Sequence, residues 1–177
     1  MPSTQQPTYA IMTLAQWMMK HHDNLDVVVV ALCEIYDLKD RDIVLAYIEE
    51  EIERQARLLL ISDEQGTVLG IAGWNWAHAE HPDPELPVYL GFLPSLEVPG
   101  LRLLLVETLL TRLRKERTAS EHLWIWDALL QFPSQDRELR RVCLDLGFRR
   151  DLRRNETFKT SLGARGYLRS MSAPLND

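Results

Sequence analysis

The hydrophobic and polar positions change period along the chain, and those changes mark its elements. Thr8 to Met12 reads as a short first strand, Thr13 as a helix cap, and LAQWMMKHH as a short helix. The β-branched run Val27 to Val30 favours a strand on its own, yet it continues into ALCEIYDL with the length and spacing of a buried helix, which is the expectation here. Asp40 stands ready to cap a third helix. In it Ile43, Val44, Tyr47, Ile48 and Ile52 share one face, and Glu49, Glu50, Glu51 and Arg54 turn to water. At Arg57 the period shortens to that of strands. RLLLIS (57–62) and TVLGIAGWNWA (67–77) flank Asp63-Glu64-Gln65-Gly66, so a hairpin is predicted. The proline-rich stretch His78 to Pro87 reads as a loop, and Val88 to Leu93 as a strand.

Helical spacing returns at Gly100. Leu101, Leu104, Leu105, Leu109 and Leu113 predict a helix over 100–118 whose basic end suits the negative end of the helix dipole. HLWIWDALL reads as a strand, and Pro133-Ser134 as the start of a helix with Leu139, Val142, Cys143 and Leu146 on its apolar stripe, stopped by Gly147. Phe148 to Arg153 and Thr157 to Leu162 predict a last hairpin around Asn155-Glu156, and 163–177 a flexible tail. Together these elements predict an α/β (α+β) fold, a mixed sheet of about six or seven strands with four or five helices. One domain spans 1–162.

A chain of 177 residues suits one domain with a full core. Its formal charge of −6 argues against nucleic acid or an anionic membrane as partner. Two cysteines, Cys33 and Cys143, sit in apolar helical patterns and read as reduced thiols in a cytoplasmic protein. No apolar run has the length of a membrane span, and the N-terminus has no signal-peptide pattern.

Strand 88–93, the crossing Pro94 to Gly100 and the helix after it form a strand–loop–helix unit, whose first helical N–H groups lack internal partners and suit an anion. With GIAGW in the hairpin and VCLDLGFRR near the end, the chain resembles the GNAT superfamily of acyl-CoA-dependent N-acyltransferases, which suggests a bacterial-like cytoplasmic enzyme. The resemblance implies a mostly antiparallel sheet splayed at its middle. It further implies an acyl thioester donor, acetyl-CoA or another acyl-CoA, in the splay, and an amine acceptor, small molecule or protein lysine. The family's Arg/Gln-x-x-Gly-x-Gly loop superimposes on Arg102 to Glu107. Arg102 matches, and Leu105 and Glu107 replace both glycines. The resemblance therefore implies cofactor contacts at Leu90, Leu93, Arg102, Leu103 and Leu104, and sets Cys143 where a general-acid tyrosine often stands. Asp136 falls on the family's helix-opening Asn.

The chain is also similar, more weakly, to RTX toxin-activating lysine acyltransferases, which take their acyl group from acyl carrier protein and lack the glycine loop. Trp17 before His21 and His22, Trp74 and Trp76 ending the hairpin, and Leu123 to Ala128 with Asp127 carry that similarity. It implies His22 as base and Asp127 as its partner. A third reading is a binding or regulatory module on the same fold without chemistry.

The plainer readings of these residues stand beside the functional ones. His21 and His22 also suit a helix end. Trp74 and Trp76, and Trp124 and Trp126, recur at period two on strands, so one of each pair is expected in the core and the other lining a groove. Asp127 in an aromatic strand must be exposed, paired or shifted in pKa. His78, Glu80, His81, Asp83 and Glu85 form an acidic loop that borders an acceptor site more readily than it holds a metal, so no metal is expected. The substrate-lining set is then Trp74, Trp76, Glu80, Glu85 and Trp126. Nothing in the last strands demands more than a monomer or homodimer.

Overall fold

In the computed structural model, residues 8–21, 24–76, 85–119, 123, 125, 127–150, 157–159 and 165–175 are described. The first strand turns straight into a helix because Thr13 and Gln16 cap each other. The Gln16 amide donates to Thr13 Oγ1 at 3.2 Å and the Thr13 amide to Gln16 Oε1 at 3.0 Å. This junction joins β1 (Ala10–Thr13) to α1 (Leu14–His21). The valine run is helical, in α2 (Leu25–Tyr36), and buries Val28, Val29, Ala31, Cys33 and Ile35. Asp40 caps α3 (Arg41–Glu53) by accepting the Ile43 amide at 3.2 Å. Its buried stripe is narrower than the spacing predicts: Val44 and Ile48 are buried, but Ile43 and Ile52 are 49% and 40% exposed.

The hairpin is β2 (Arg57–Ser62) and β3 (Val68–Trp74), its turn held by Asp63 Oδ1, which accepts the amides of Gln65 and Thr67. The next strand, β4 (Glu85–Phe92), starts three residues earlier than predicted. Pro87 is accommodated because β4 there has only its neighbour on one side, and pairing to β3 begins at Val88. Helix α4 (Leu101–Thr118) follows Gly100. Strand β5 (Asp127–Pro133) begins later than predicted and runs through Pro133. The helix after it, α5 (Arg137–Asp145), starts at Asp136, not at Pro133-Ser134, because the Asp136 carboxylate caps it by accepting the Leu139 amide at 2.9 Å.

The C-terminal stretch departs most from expectation. Strands β6 (Arg149–Arg150) and β7 (Thr157–Lys159) do not form a hairpin with each other; both pair with β8 (Arg165–Pro174), inside the stretch expected to be a flexible tail. Strand β8 lies antiparallel to β5 from Asp127↔Pro174 to Pro133↔Leu168, and Ala173 and Leu175 are buried. Without it one whole edge of β5 would leave its backbone groups unpaired.

The sheet order is β1-β2-β3-β4-β5-β8-β6, with β7 against β8, antiparallel except for the parallel pair β4–β5. One face packs Leu60, Val68 and Ile71 against α1, α2 and α3. The other packs Leu86, Val88, Leu90, Ala128, Leu130 and Phe132 against Leu105, Leu109 and Leu113 of α4 and Leu139 and Cys143 of α5. No described helix is long and apolar enough to cross a membrane.

Candidate functional site

The parallel strands β4 and β5 run together only part of their length. Their register proceeds from Glu85↔Asp127 to Tyr89↔Gln131 and stops there. Beyond it Leu90, Gly91 and Phe92 stay paired to Ala72, Ile71 and Gly70 of β3, while Phe132 and Pro133 stay paired to β8. The sheet therefore forks at Tyr89 and Gln131. The edge of Leu90 to Phe92 that would face β5 has no strand partner among the described residues. Leu93 extends this edge less than the sequence suggests, because its amide already donates to Leu69 O at 2.9 Å.

At the open end of the fork lies a cavity of ≈ 250 Å³ between the ends of β4 and β5 and the starts of α4 and α5. Arg102 crosses it. Although only 6% exposed, Arg102 has ample partners. Its Nε donates to both Asp136 carboxylate oxygens at 2.9 and 3.1 Å, and Nη1 to Glu138 Oε2 at 2.8 Å and Leu96 O at 3.3 Å. The guanidinium also stacks 5.3 Å from the Phe92 ring centre. Phe92 can lie flat there because its cross-strand partner is Gly70, where a Cβ would stand 2.5 Å from the ring. The resemblance implies a cofactor contact at Arg102 and places Asp136 at the opening of the later helix. In the structure the two are each other's partners, with Glu138 as a third. Leu105 is fully buried in the core, and Leu103 and Leu104 are 38% and 45% exposed on the first turn of α4.

The two hairpin tryptophans do not divide between core and groove. Trp74 ends β3 and Trp76 lies two residues beyond it, yet both indoles reach one carboxylate: Trp74 Nε1 and Trp76 Nε1 each donate to Glu116 Oε2 at 3.0 Å. Arg112 Nε donates to the other oxygen, Oε1, at 3.1 Å. This cluster ties the end of β3 to α4.

Asp127 and Glu85 are register neighbours at the starts of β5 and β4, both half-buried. They precede the fork by four residues, ~13 Å along a strand. Cys143 is fully buried in the α4–α5 core, and burial first, then the Asp136 charge, pushes its thiol up to about 12. A thiol held that firmly neutral is a packing residue and a poor proton donor to a departing thiolate. His22, Glu80, Trp124 and Trp126 lie outside the described residues, as do His78, His81 and Asp83. Among the described residues no group of three or more His, Cys, Asp or Glu side chains is placed to hold a metal ion.

On the α2–α3 side of the fork stands a group that the sequence reading missed. Tyr89 on β4, Tyr36 on α2 and Tyr47 on α3 influence one another, and Glu51 of α3 acts on Tyr47 and Tyr89. Burial first, then Glu51, raises the Tyr89 hydroxyl, and burial foremost pushes Tyr47 up to about 12. Close approach makes the group possible: a Cβ on Gly91 would stand 2.3 Å from Ile35 Cγ2 and 3.3 Å from the Tyr36 hydroxyl. Glu85 and Tyr89 share one face of β4 at period two. The available signal was that alternation, which opposes Glu85, Pro87, Tyr89 and Gly91 to the apolar Leu86, Val88, Leu90 and Phe92.

A forked mixed sheet with this order of elements is the GNAT fold, and structural comparison bears it out. No family model and no curated protein sequence matches the chain. Among solved structures it is similar to the ribosomal-protein-S18-alanine N-acetyltransferase of Escherichia coli, with TM-score 0.60, 16% identity and 96% of each chain covered. It is likewise similar to the spermidine N-acetyltransferase of Vibrio cholerae, solved with CoA and spermine, with TM-score 0.57, 13% identity and 96% of each chain covered. A third is the ribosomal-protein-S5-alanine acetyltransferase of Vibrio fischeri, with TM-score 0.57, 12% identity, and 96% of this chain and 94% of that one covered.

Proposed function

We propose that the protein is an N-acyltransferase that moves an acyl group from a thioester donor to an amine. The observation that carries this reading is the fork: β4 and β5 part after Tyr89↔Gln131 and leave the Leu90 to Phe92 edge open between two packed faces. An extended donor arm pairs with that edge, and a backbone N–H there receives the oxyanion of the tetrahedral intermediate. The acceptor enters from the α2–α3 side. Glu51 holds its ammonium group among Tyr36, Tyr47 and Tyr89 and takes a proton from it; Glu85 and Asp127 extend the negative charge along the same face. The amine nitrogen attacks the thioester carbonyl and a C–N bond forms; the nitrogen then loses its surplus proton to solvent, the C–S bond breaks to leave the amide, and the departing thiolate is protonated from solvent.

The similar structures include one solved with CoA, which makes acyl-CoA the first donor to consider. The mouth of the fork fits its diphosphate poorly. The buried cation there is already bonded to Asp136 and Glu138, and Leu105 and Glu107 stand where small residues would let backbone approach a phosphate. Each carboxylate at contact distance opposes each phosphate charge by roughly 1–4 kcal/mol, depending on the dielectric.

The test is a donor screen. The protein is incubated with an amine panel of spermidine and lysine peptides and, in turn, acetyl-CoA, long-chain acyl-CoAs and acylated carrier protein, and amide products are read by mass spectrometry. Amide from any donor supports the reading; none from all of them, with no thermal shift, refutes it in favour of a binding module.

A further inference from the structure

We infer that Asp136 and Glu138 form a carboxylate latch on Arg102 that selects against donors bearing a nucleotide diphosphate, so that this chain takes a thioester recognised through its pantetheine arm alone. The inference rests on the acyltransferase reading and names its donor class. Four observations carry it. Arg102 is the buried cation at the mouth of the fork, and it stands on the first turn of α4, two residues after Gly100. Its Nε is committed to both oxygens of Asp136 and its Nη1 to Glu138 and to a backbone carbonyl. The guanidinium is held against Phe92 from below. Asp136 is itself fixed, because its Oδ1 caps α5 through the Leu139 amide.

The latch thus joins the starts of the two helices that border the cavity. To bond a diphosphate, Arg102 would have to leave both carboxylates, and those would then face the phosphates from the α5 side. Arg137, exposed at the first position of α5, also lines the cavity and brings its formal charge from Arg102, Arg137, Asp136 and Glu138 to zero. A neutral mouth offers no net attraction to a multiply charged nucleotide. It offers no obstacle to an uncharged pantetheine arm reaching the open edge of Leu90 to Phe92. A donor that keeps its charge outside the fork, such as a carrier protein presenting that arm, meets the same neutral opening.

Binding of CoA and of pantetheine to the full-length protein separates the two cases, measured calorimetrically at low and moderate salt. Wild type is compared with Glu138→Gln, which leaves the Asp136 bridge and cap intact, and with Asp136→Asn/Glu138→Gln, in which Asn keeps the cap. The expected result is that wild type gains nothing from the nucleotide. The double variant then binds CoA at least about tenfold more tightly than wild type, with pantetheine unchanged and the gain shrinking as salt is added; Glu138→Gln alone gives a smaller gain of the same sign. Two results overturn the inference: no gain in CoA binding in either variant, or a wild type that binds CoA about tenfold better than pantetheine and loses that preference in Arg102→Met. These readings are of binding alone. Failure of the acyltransferase reading appears separately, as the absence of amide from every donor.

Discussion

Arg102 and Asp136 meet through both carboxylate oxygens, at 2.9 and 3.1 Å, with the side chains only 7% and 11% exposed. The pair joins two helices that share no sequence neighbourhood, and Asp136 serves it while capping α5. Removing the aspartate leaves the buried guanidinium with only the half-exposed Glu138 as counter-charge, and a helix uncapped, at once. Asp136→Ala is expected to cost about 3–5 kcal/mol in urea unfolding, the range for breaking a buried pair. Asp136→Asn keeps the cap and should cost about 1 kcal/mol less. Equal losses in both variants would mean that the cap contributes nothing.

Glu116 makes a similar bargain on the other side of α4. One of its oxygens accepts two indole N–H groups, from Trp74 and Trp76, and Trp74 is 3% exposed. Glu116→Ala removes the acceptor of the buried Trp74 indole N–H and is expected to destabilise by about 1–3 kcal/mol. Glu116→Gln retains an acceptor oxygen and should cost less. Tryptophan emission should shift in the Ala variant before global unfolding, since both indoles lose the same partner.

Gly91 sets how closely α2 approaches the fork. A Cβ there would lie 2.3 Å from Ile35 Cγ2, a methyl carried on a β-branched side chain that has little rotamer freedom in a helix. Gly91→Ala should therefore destabilise by about 1–3 kcal/mol instead of giving the usual gain from a stiffer unfolded chain. Adding Ile35→Ala should recover part of the loss. Additive losses in the double variant would show that the contact is relieved elsewhere.

The fold was legible in the sequence where one physical signal dominated. Asp40, Gly66 and Gly100 each mark an element boundary by cap or turn chemistry, and the structure agrees to within a residue. It was illegible where pairing decided. Strand β8 has the Gly, Ser, Arg and Pro content of a loose end, and only the unpaired edge of β5 calls for it. The site divides in the same way. Arg102 was visible as a lone cation at a helix start, but its partners come from a helix 34 residues away in sequence, and no local pattern announces such a pair. Tyr36, Tyr47 and Tyr89 lie on three elements, so their association exists only after folding.

Alkaline pH should weaken the protein through these buried hydroxyls and the thiol. Tyr36, Tyr47, Tyr89 and Cys143 are all raised above their ordinary values, burial being the largest cause for each. A raised folded value favours the neutral form, so the folded state binds more protons than the unfolded one once the latter ionises. Their contribution is fully present below the unfolded values, near 9 for the thiol and 10 for the tyrosines. It is lost as pH climbs toward about 12, where Tyr47 and Cys143 ionise in place. Thermal midpoints should fall steeply from about pH 9 upward, and Tyr47→Phe should flatten that fall. A flat profile to pH 11 would contradict the burial of these groups.

The acceptor site gives the last prediction. Glu51 is the carboxylate that acts on both Tyr47 and Tyr89, and Tyr89 is the last residue of β4 still paired to β5, so a cation held there sits beside the fork. If Glu51 receives the amine as ammonium and then accepts its proton, Glu51→Gln loses both roles while keeping shape. The value of kcat/KM for the amine should fall by about 10²–10⁴-fold, the usual contribution of a general base. Tyr89→Phe keeps the aromatic wall and removes a hydroxyl, so it should raise KM with little change in kcat. Glu85→Gln, ~13 Å from the fork, should raise KM for long cationic acceptors and spare short amines. If Glu51→Gln changes KM alone, Glu51 binds the amine without taking its proton, and the base must be sought elsewhere on the α2–α3 face.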